Sequence, residues 1–426
     1  MGKRDGSVMA PENNISYIFI PFRYEGQDSR SLPEVLKSSG DWELVDDEIE
    51  YMLKYVADRI EGKDSGKSRY EHFVFSGLSE YGGRETVFYT EKHLYNGEET
   101  EFGFRIQSVQ LYYFNTSVSV LAFGLHFEPG TDGEPGLMPP QMMYISSAQY
   151  YLKKVSREKI HGGSIDGDTT LLRFAQEIMG RLSPGGTFDF FFYARPGTER
   201  ANLFTYIEAG YSEDIVHELF YLRRCYNEQY LYHQDGKRDE QEIYSAAENI
   251  TWGLSAEAAV CITCPAKGGE DFLYNVFFRN FNRQYLFMYV LLLHQKYVLY
   301  LFQTRITAEL YEDIDTLETY RNNLYKFETD FVYSRVTEVS QYQDLYDRMS
   351  QVFALKEMYE DVREPLQVLV DARSAELEKH QKQAEHDQKK QEERMNKILF
   401  IISVVCAIPA GADLFRIIEF ILNLAM

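Results

Sequence analysis

Cysteine is scarce in this chain. The four cysteines, Cys225, Cys261, Cys264 and Cys406, are too few to frame a disulfide scaffold over 426 residues. Cys261 and Cys264 form a CxxC in VCITCP, but no second ligand pair stands at zinc-knuckle spacing. They read as buried strand cysteines. Tryptophan is rarer still, at 2 against 33 Tyr and 29 Phe, so the large buried rings must be mostly phenyl and phenol. Positive charge is also short. Lys and Arg number 44 against 66 Asp and Glu, a formal net charge of −22. Such a surface disfavours direct nucleic-acid binding and suits small cations or a basic protein surface.

Catalytic signatures are missing as well. No GxGxxG, Walker A, HExxH or GxSxG pattern appears, and no nucleophile stands with a base, so the chain is not expected to be an enzyme. HGGSIDGDTT is Gly-rich before a helical stretch, and reads as a plain loop rather than a phosphate cradle. His380 and His386 sit on a polar stretch and are expected to be solvated. His294 interrupts an apolar helix pattern and reads as a hydrogen-bonded core residue. The start MGKRDGSVMAPENN is basic without a following apolar region, and Gly6 breaks the myristoylation pattern. The bulk of the chain is therefore expected in the cytoplasm.

What is present begins as a mixture of strands and helices. ISYIFIPFRY (15–24), YEHFVFS, ETVFYTEK and TFDFFFYA (187–194) carry the aromatic and β-branched content of strands. FRIQSVQLYYFNTSVSVLAFGLHFE (104–128) reads as two strands turning at Asn115 and Thr116. WGLSAEAAVCITC (252–264) suits one buried strand. DGEPGLMPP is a loop. Helical spacing marks LVDDEIEYMLKYVADRI, 140–159, 169–182 and EDIVHELFYLRRCYNEQYL. The expectation is a cytosolic α/β domain, a mixed sheet with helices, over 1–265.

A helical core section is expected over 266–335. Its apolar stretch Tyr285–Leu293 is only nine residues before His294, Gln295 and Lys296 interrupt it. A membrane span needs about 20, so this is a buried core helix. Helical patterning breaks near 312–317 and then resumes. A long stalk helix follows over 336–397, with one face through Tyr342, Leu345, Met349, Val352, Leu355, Tyr359, Val362, Leu366, Leu369 and Leu377, skipping at Arg373, and a kink or helix junction near Pro365. EKHQKQAEHDQKKQEERMNK is almost wholly polar, yet Glu378–Lys382, Glu385–Lys389 and Glu393–Lys397 are i,i+4 pairs in the favourable order. It reads as a rigid helical extension rather than a loose linker.

The stretch 398–426 is a membrane segment by composition. Ile398–Phe415 carries one charge, Asp413. As one helix, its 29 residues span about 43 Å, more than a hydrocarbon core of about 30 Å. It is one tilted span, or one span with an interfacial segment, and Pro409 and Gly411 would break or bend it. Lys389, Lys390, Arg394 and Lys397 precede it and place the rest of the chain on the cytoplasmic side of a single-pass protein. Pro409, Asp413, Arg416 and Glu419 are the pore candidates. Their charges either surround a shared axis in a homo-oligomer or lie at the far interface of an amphipathic foot.

For ligands, FFRNFNRQY places Arg279 and Arg283 four apart among aromatics. Such a set can hold a planar anion such as a nucleotide-derived molecule, or pair with the many carboxylates of this acidic chain. Trp252 and Ser255 are candidates for the same pocket.

Taken in order, LYYFNTSVSVLAFGLHFE, ITWGLSAEAAVCIT, FNRQYLFMYVLLLHQKYVLYLF and FETDFVYSRVTEVSQYQDLYDRMSQVFALKEMYEDV resemble the CorA-like divalent-cation transporter superfamily, in its large bacterial branch, from about residue 100 onward. The resemblance implies an oligomer whose cytosolic domain senses a ligand and acts through coiled-coil stalk helices on a membrane pore or a membrane-perturbing segment. It further implies either an antiviral effector of the CRISPR-associated kind or a transporter with Mg2+ as its ion. The family's Gly-Met-Asn signature is absent, and a second span has no room. A non-conducting membrane scaffold is the remaining class.

Overall fold

Alternation along the strand Asn14–Gly26 organises the sheet. Ile18, Ile20 and Phe22 join one apolar core with Met142, Ile145 and Phe174, while Phe19, pointing the other way, meets Tyr289 at 5.4 Å between rings. A strand used on both faces has no polar side, so its first nine residues are all buried. The computed structural model describes residues 13–26, 31–46, 50–63, 66–130, 136–182, 186–211, 213–308 and 314–424.

Asn14–Gly26 pairs antiparallel with Val118–Phe127 on one edge. On the other it pairs antiparallel with Asn202–Glu208 and, further along, with Gly186–Phe190. Asn202–Glu208 pairs in parallel with Ala258–Thr263, which makes the thirteen-stranded sheet mixed. Gly103–Phe114 and Val118–Phe127 form the hairpin expected around Asn115 and Thr116. A separate small hairpin joins His93–Tyr95 to Glu98–Thr100.

Helices cover both faces. Pro139–Leu152 and Leu171–Gly180 contribute Met142, Ile145, Phe174 and Ile178 to one core. The helix Glu270–Arg305 covers the other face, with 94% of its most apolar window buried. Its ring of Tyr289 packs on Phe204 at 4.8 Å and its hydroxyl donates to the Leu203 carbonyl at 2.8 Å. A helix apolar all round belongs in a core, as its sequence pattern predicts.

Several elements differ from expectation. Leu44 and Val45 lie in a strand, Trp42–Val45, held by the ladder to Tyr70–Phe75, and the helix in that stretch is only Lys54–Ile60. Sheet hydrogen bonds override the helical spacing there. The helix read in EDIVHELFYLRRCYNEQYL is only Val216–Leu222, and Cys225 then takes a positive φ of 47°. WGLSAEAAVCITC is a hairpin, Ile250–Leu254 with Ala258–Thr263, rather than one strand. HGGSIDGDTT is also strand-forming: Lys159–Gly162 pairs with Ile165–Thr170. DGEPGLMPP and the break near 312–317 lie partly outside the described residues.

Two compact units emerge, Met1–Glu309 with Asn323–Arg363, and Leu310–Asn322 with Glu364–Met426. Helical structure beyond the sheet comprises Ile314–Phe331, Ser340–Val352 and Leu355–Leu424. The pause in the last pattern falls at Phe353 and Ala354, where Ala354 takes a φ of 54°, rather than at Pro365. Pro365 and Pro409 each lack an amide to donate, yet the helix Leu355–Leu424 runs on past both, so neither proline ends it, and Pro409 and Gly411 do not break the segment after 398. Val362, Leu366 and Val370, one helix face at steps of four, are buried.

Candidate functional site

Arg279 and Arg283 lie near the start of the helix that covers the sheet. Two wider π turns, Leu273–Phe277 and Phe281–Tyr285, bracket Phe278–Asn280. Such turns often accompany functional sites. Here they accompany a row of rings: Phe278 meets Tyr206 at 4.9 Å, Phe281 stacks on Phe204 at 4.5 Å, and Tyr285 meets Trp252 at 5.2 Å. Both arginines face solvent, and among the described residues neither forms an ion pair or hydrogen bond.

Trp252 and Ser255 do not share that surface. Trp252 is 1% exposed and lies in the ring stack with Phe204 and Phe281. Ser255 is buried and closes the turn between its strands: its hydroxyl accepts from the Glu257 and Ala258 amides at 3.1 and 3.0 Å and donates to the Arg223 carbonyl. The arginines are open and the other two are enclosed, so the four line no common cavity.

Each residue of the polar interruption in the buried helix has a partner, though His294 Nδ1 is buried with none among the described residues. His294 Nε2 is 2.8 Å from Thr116 Oγ1, and its ring stacks on Phe114 at 3.8 Å. Burial pulls the imidazole down to about 3, so it is neutral at physiological pH. Gln295 donates to the Phe331 carbonyl at 2.7 Å and to the Tyr346 hydroxyl at 3.2 Å. Lys296 donates to Asn202 Oδ1 at 3.3 Å and the Ala256 carbonyl at 3.2 Å. Burial pulls this ammonium down to about 8, while the nearby Glu257 carboxylate resists. Cys261 and Cys264 are buried as expected, and burial pushes the Cys261 thiol well up, which leaves it unreactive.

The end of Leu355–Leu424 has the opposite character. From Ser374 to Val404, and again from Leu414 to Leu424, every described side chain is exposed. Phe400 is 68% exposed, Phe415 78% and Leu424 71%. The helical run 398–424 is about 40 Å long at 1.5 Å per residue. Arg416 and Glu419 lie a turn apart and exposed, with no ion pair between them. The side chains of 405–413, hence of Pro409 and Asp413, lie outside the described residues. Of the polar stretch before it, Lys382 pairs with Glu378 at 2.5 Å. By length and composition, one helix among the described residues could cross a membrane, the buried Glu270–Arg305.

No group of three His, Cys, Asp or Glu among the described residues could hold a metal ion. A cleft of about 320 Å³ went unread in the sequence. It lies between the tip of the small hairpin at Tyr95 and Asn96, the start of Pro139–Leu152, and Val216–Leu222. Its residues come from three distant segments and form no motif. No family model, curated protein or solved structure matches this chain.

Proposed function

We propose that this protein is a membrane-anchored homo-oligomer, with the sheet domain on the cytoplasmic side and the helical segment 398–424 in the bilayer. The observation that carries the reading is the unbroken helix Leu355–Leu424, whose end exposes large apolar side chains on all sides. Such a surface is costly in water, at about 25 cal/mol per Å² of apolar area, and monomeric soluble proteins rarely leave so large a patch open. Lys389, Lys390, Arg394 and Lys397 on the same helix suit an anionic cytoplasmic leaflet.

The function proposed for this arrangement is signalling from the sheet domain to the membrane. A ligand bound by the domain biases the stalk helices of an oligomer, and their ends open a pore or disturb the bilayer. Resemblance to CorA-like proteins supports this reading and its antiviral-effector form. Asp413, Arg416 and Glu419 would then face the shared axis, since ionisable groups in a bilayer seek one another or water. Magnesium transport is the less favoured reading, because neither the Gly-Met-Asn signature nor a described carboxylate cluster supports it.

The test compares the full chain with a version ending at Lys397. Vesicle flotation, light-scattering mass corrected for detergent, and vesicle dye release would be measured on both. Flotation, an oligomer and dye release that all need 398–426 are expected. Equal flotation of the two forms would overturn the membrane reading. Tail-dependent flotation of a monomer without release would reduce the segment to an anchor.

A further inference from the structure

The cleft beside the small hairpin is built without a single Lys or Arg in its lining. Its hairpin wall is fixed from outside: the Asn96 amide donates to both oxygens of Glu228, at 2.9 and 2.8 Å. The Tyr95 hydroxyl donates to the Pro140 carbonyl at 3.2 Å, which ties the hairpin to the next wall. That wall is the first turn of Pro139–Leu152. A helix start normally offers free amides to an anion. Here Pro139 and Pro140 have none, and the Gln141 amide is already given to the Met138 carbonyl at 3.0 Å. The cleft is therefore poorly suited to phosphate or carboxylate.

The third wall supplies negative charge. Glu218 is 8% exposed and lines the cleft; the Tyr211 hydroxyl interacts with its carboxylate, yet its Oε2 is buried with no donor at hydrogen-bond geometry among the described residues. Its Oε1 lies 3.4 Å from Nδ1 of His217, at the rim. A buried carboxylate oxygen without a donor is costly, and a ligand N–H would remove that cost. Tyr95 and Tyr221 provide rings, and Met142 and Met143 provide adaptable apolar surface.

We propose that this cleft binds an organic cation, an ammonium or guanidinium group carried on an apolar stem. The charged head would donate to Glu218 and lie against the tyrosine rings, with the stem along the two methionines. The site stands independently of the membrane reading. Its failure would leave flotation unchanged, and loss of flotation would leave this binding unchanged.

The test is a ligand-observed NMR titration of the full chain in detergent with n-butylamine, n-butanol and butyrate. N-acetyl-lysine methylamide is a fourth probe, which separates a free amine from a lysine side chain presented by a protein. Saturable binding of an amine, at least tenfold tighter than that of the alcohol or acid, is expected. Whichever amine binds tighter names the source. Glu218→Gln, which keeps shape, should abolish the preference for amine over alcohol, and Met143→Trp should fill the cleft and block all four probes. Thermal melts confirm that each variant folds. Equal binding of alcohol and amine, unchanged amine affinity in Glu218→Gln, or no saturable binding would each overturn the proposal.

Discussion

The helix Glu270–Arg305 and the segment 398–424 are both long, helical and apolar, and their surroundings are opposite. The first has 94% of its most apolar window buried, and its polar residues His294, Gln295 and Lys296 each have a protein partner. The second exposes every described side chain, and among the described residues Arg416 and Glu419 form no ion pair. Apolar composition alone tells a segment to leave water; it does not say for what. The discriminating feature is how the polar residues within the stretch are satisfied. Inside a protein they need specific partners, which the sheet supplies at Thr116 and Asn202. In a bilayer they would need other copies, headgroups or water.

The largest effect that would break this comparison comes from one carboxylate placed in each helix. Leu292→Asp puts an unpaired charge at a fully buried position and should cost more than about 4 kcal/mol, enough to unfold the sheet domain. Ile418→Asp lies at a position 46% exposed. It should leave the domain's thermal melt unchanged and weaken vesicle binding by about 3 kcal/mol. Were Ile418→Asp to unfold the domain, or to float as the parent does, the two helices would not differ in the way described.

Much of this contrast was legible beforehand, for physical reasons. The buried helix revealed itself through His294, Gln295 and Lys296, which cut its apolar run below spanning length. The Asn115–Thr116 turn showed because turn residues separate two strand-like runs. The turn at Ser255 did not show, because its closure depends on one hydroxyl accepting two amides, with no Gly, Pro or Asn to mark it. Trp42–Val45 was hidden because its strand identity comes from a partner, Tyr70–Phe75, far along the chain. The cleft was illegible for the same reason. Glu218 sits in VHELFYL like any helix carboxylate, and only the fold brings Tyr95 and Pro139 to it.

A second, smaller effect sharpens the account of the buried helix. His294 is held neutral by burial, at about 3 against an ordinary 6.5. The rings of Phe114, Phe327 and Phe331 surround it. Between those two values the unfolded chain takes up a proton that the folded chain refuses. Stability therefore falls as pH drops from about 6.5 towards 3, by on the order of 5 kcal/mol in full. His294→Gln keeps a partner for Thr116 without a titrating ring. Denaturant unfolding of both forms at several pH values should show a shallower acid slope in the variant. Identical slopes would mean that the carboxylates of this acidic chain, and not His294, govern its acid stability.

The smallest effect belongs to the stalk. Glu378 and Lys382 make an exposed i,i+4 pair at 2.5 Å, in the order that suits the helix dipole. Exposed pairs of this kind contribute only about 0.3–0.5 kcal/mol each. Glu378→Ala removes the pair and installs the best helix former, so the two changes nearly cancel. Circular dichroism should show helicity unchanged within a few per cent, and vesicle dye release by the full chain should persist. A Gly-Pro pair in place of Gln383 and Ala384 interrupts the helix instead. It should abolish release while leaving flotation intact, because anchoring needs only 398–424 whereas coupling needs a continuous helix. Release that survives the Gly-Pro interruption would separate the membrane activity from the stalk, and the sheet domain would then act on the bilayer by some other route.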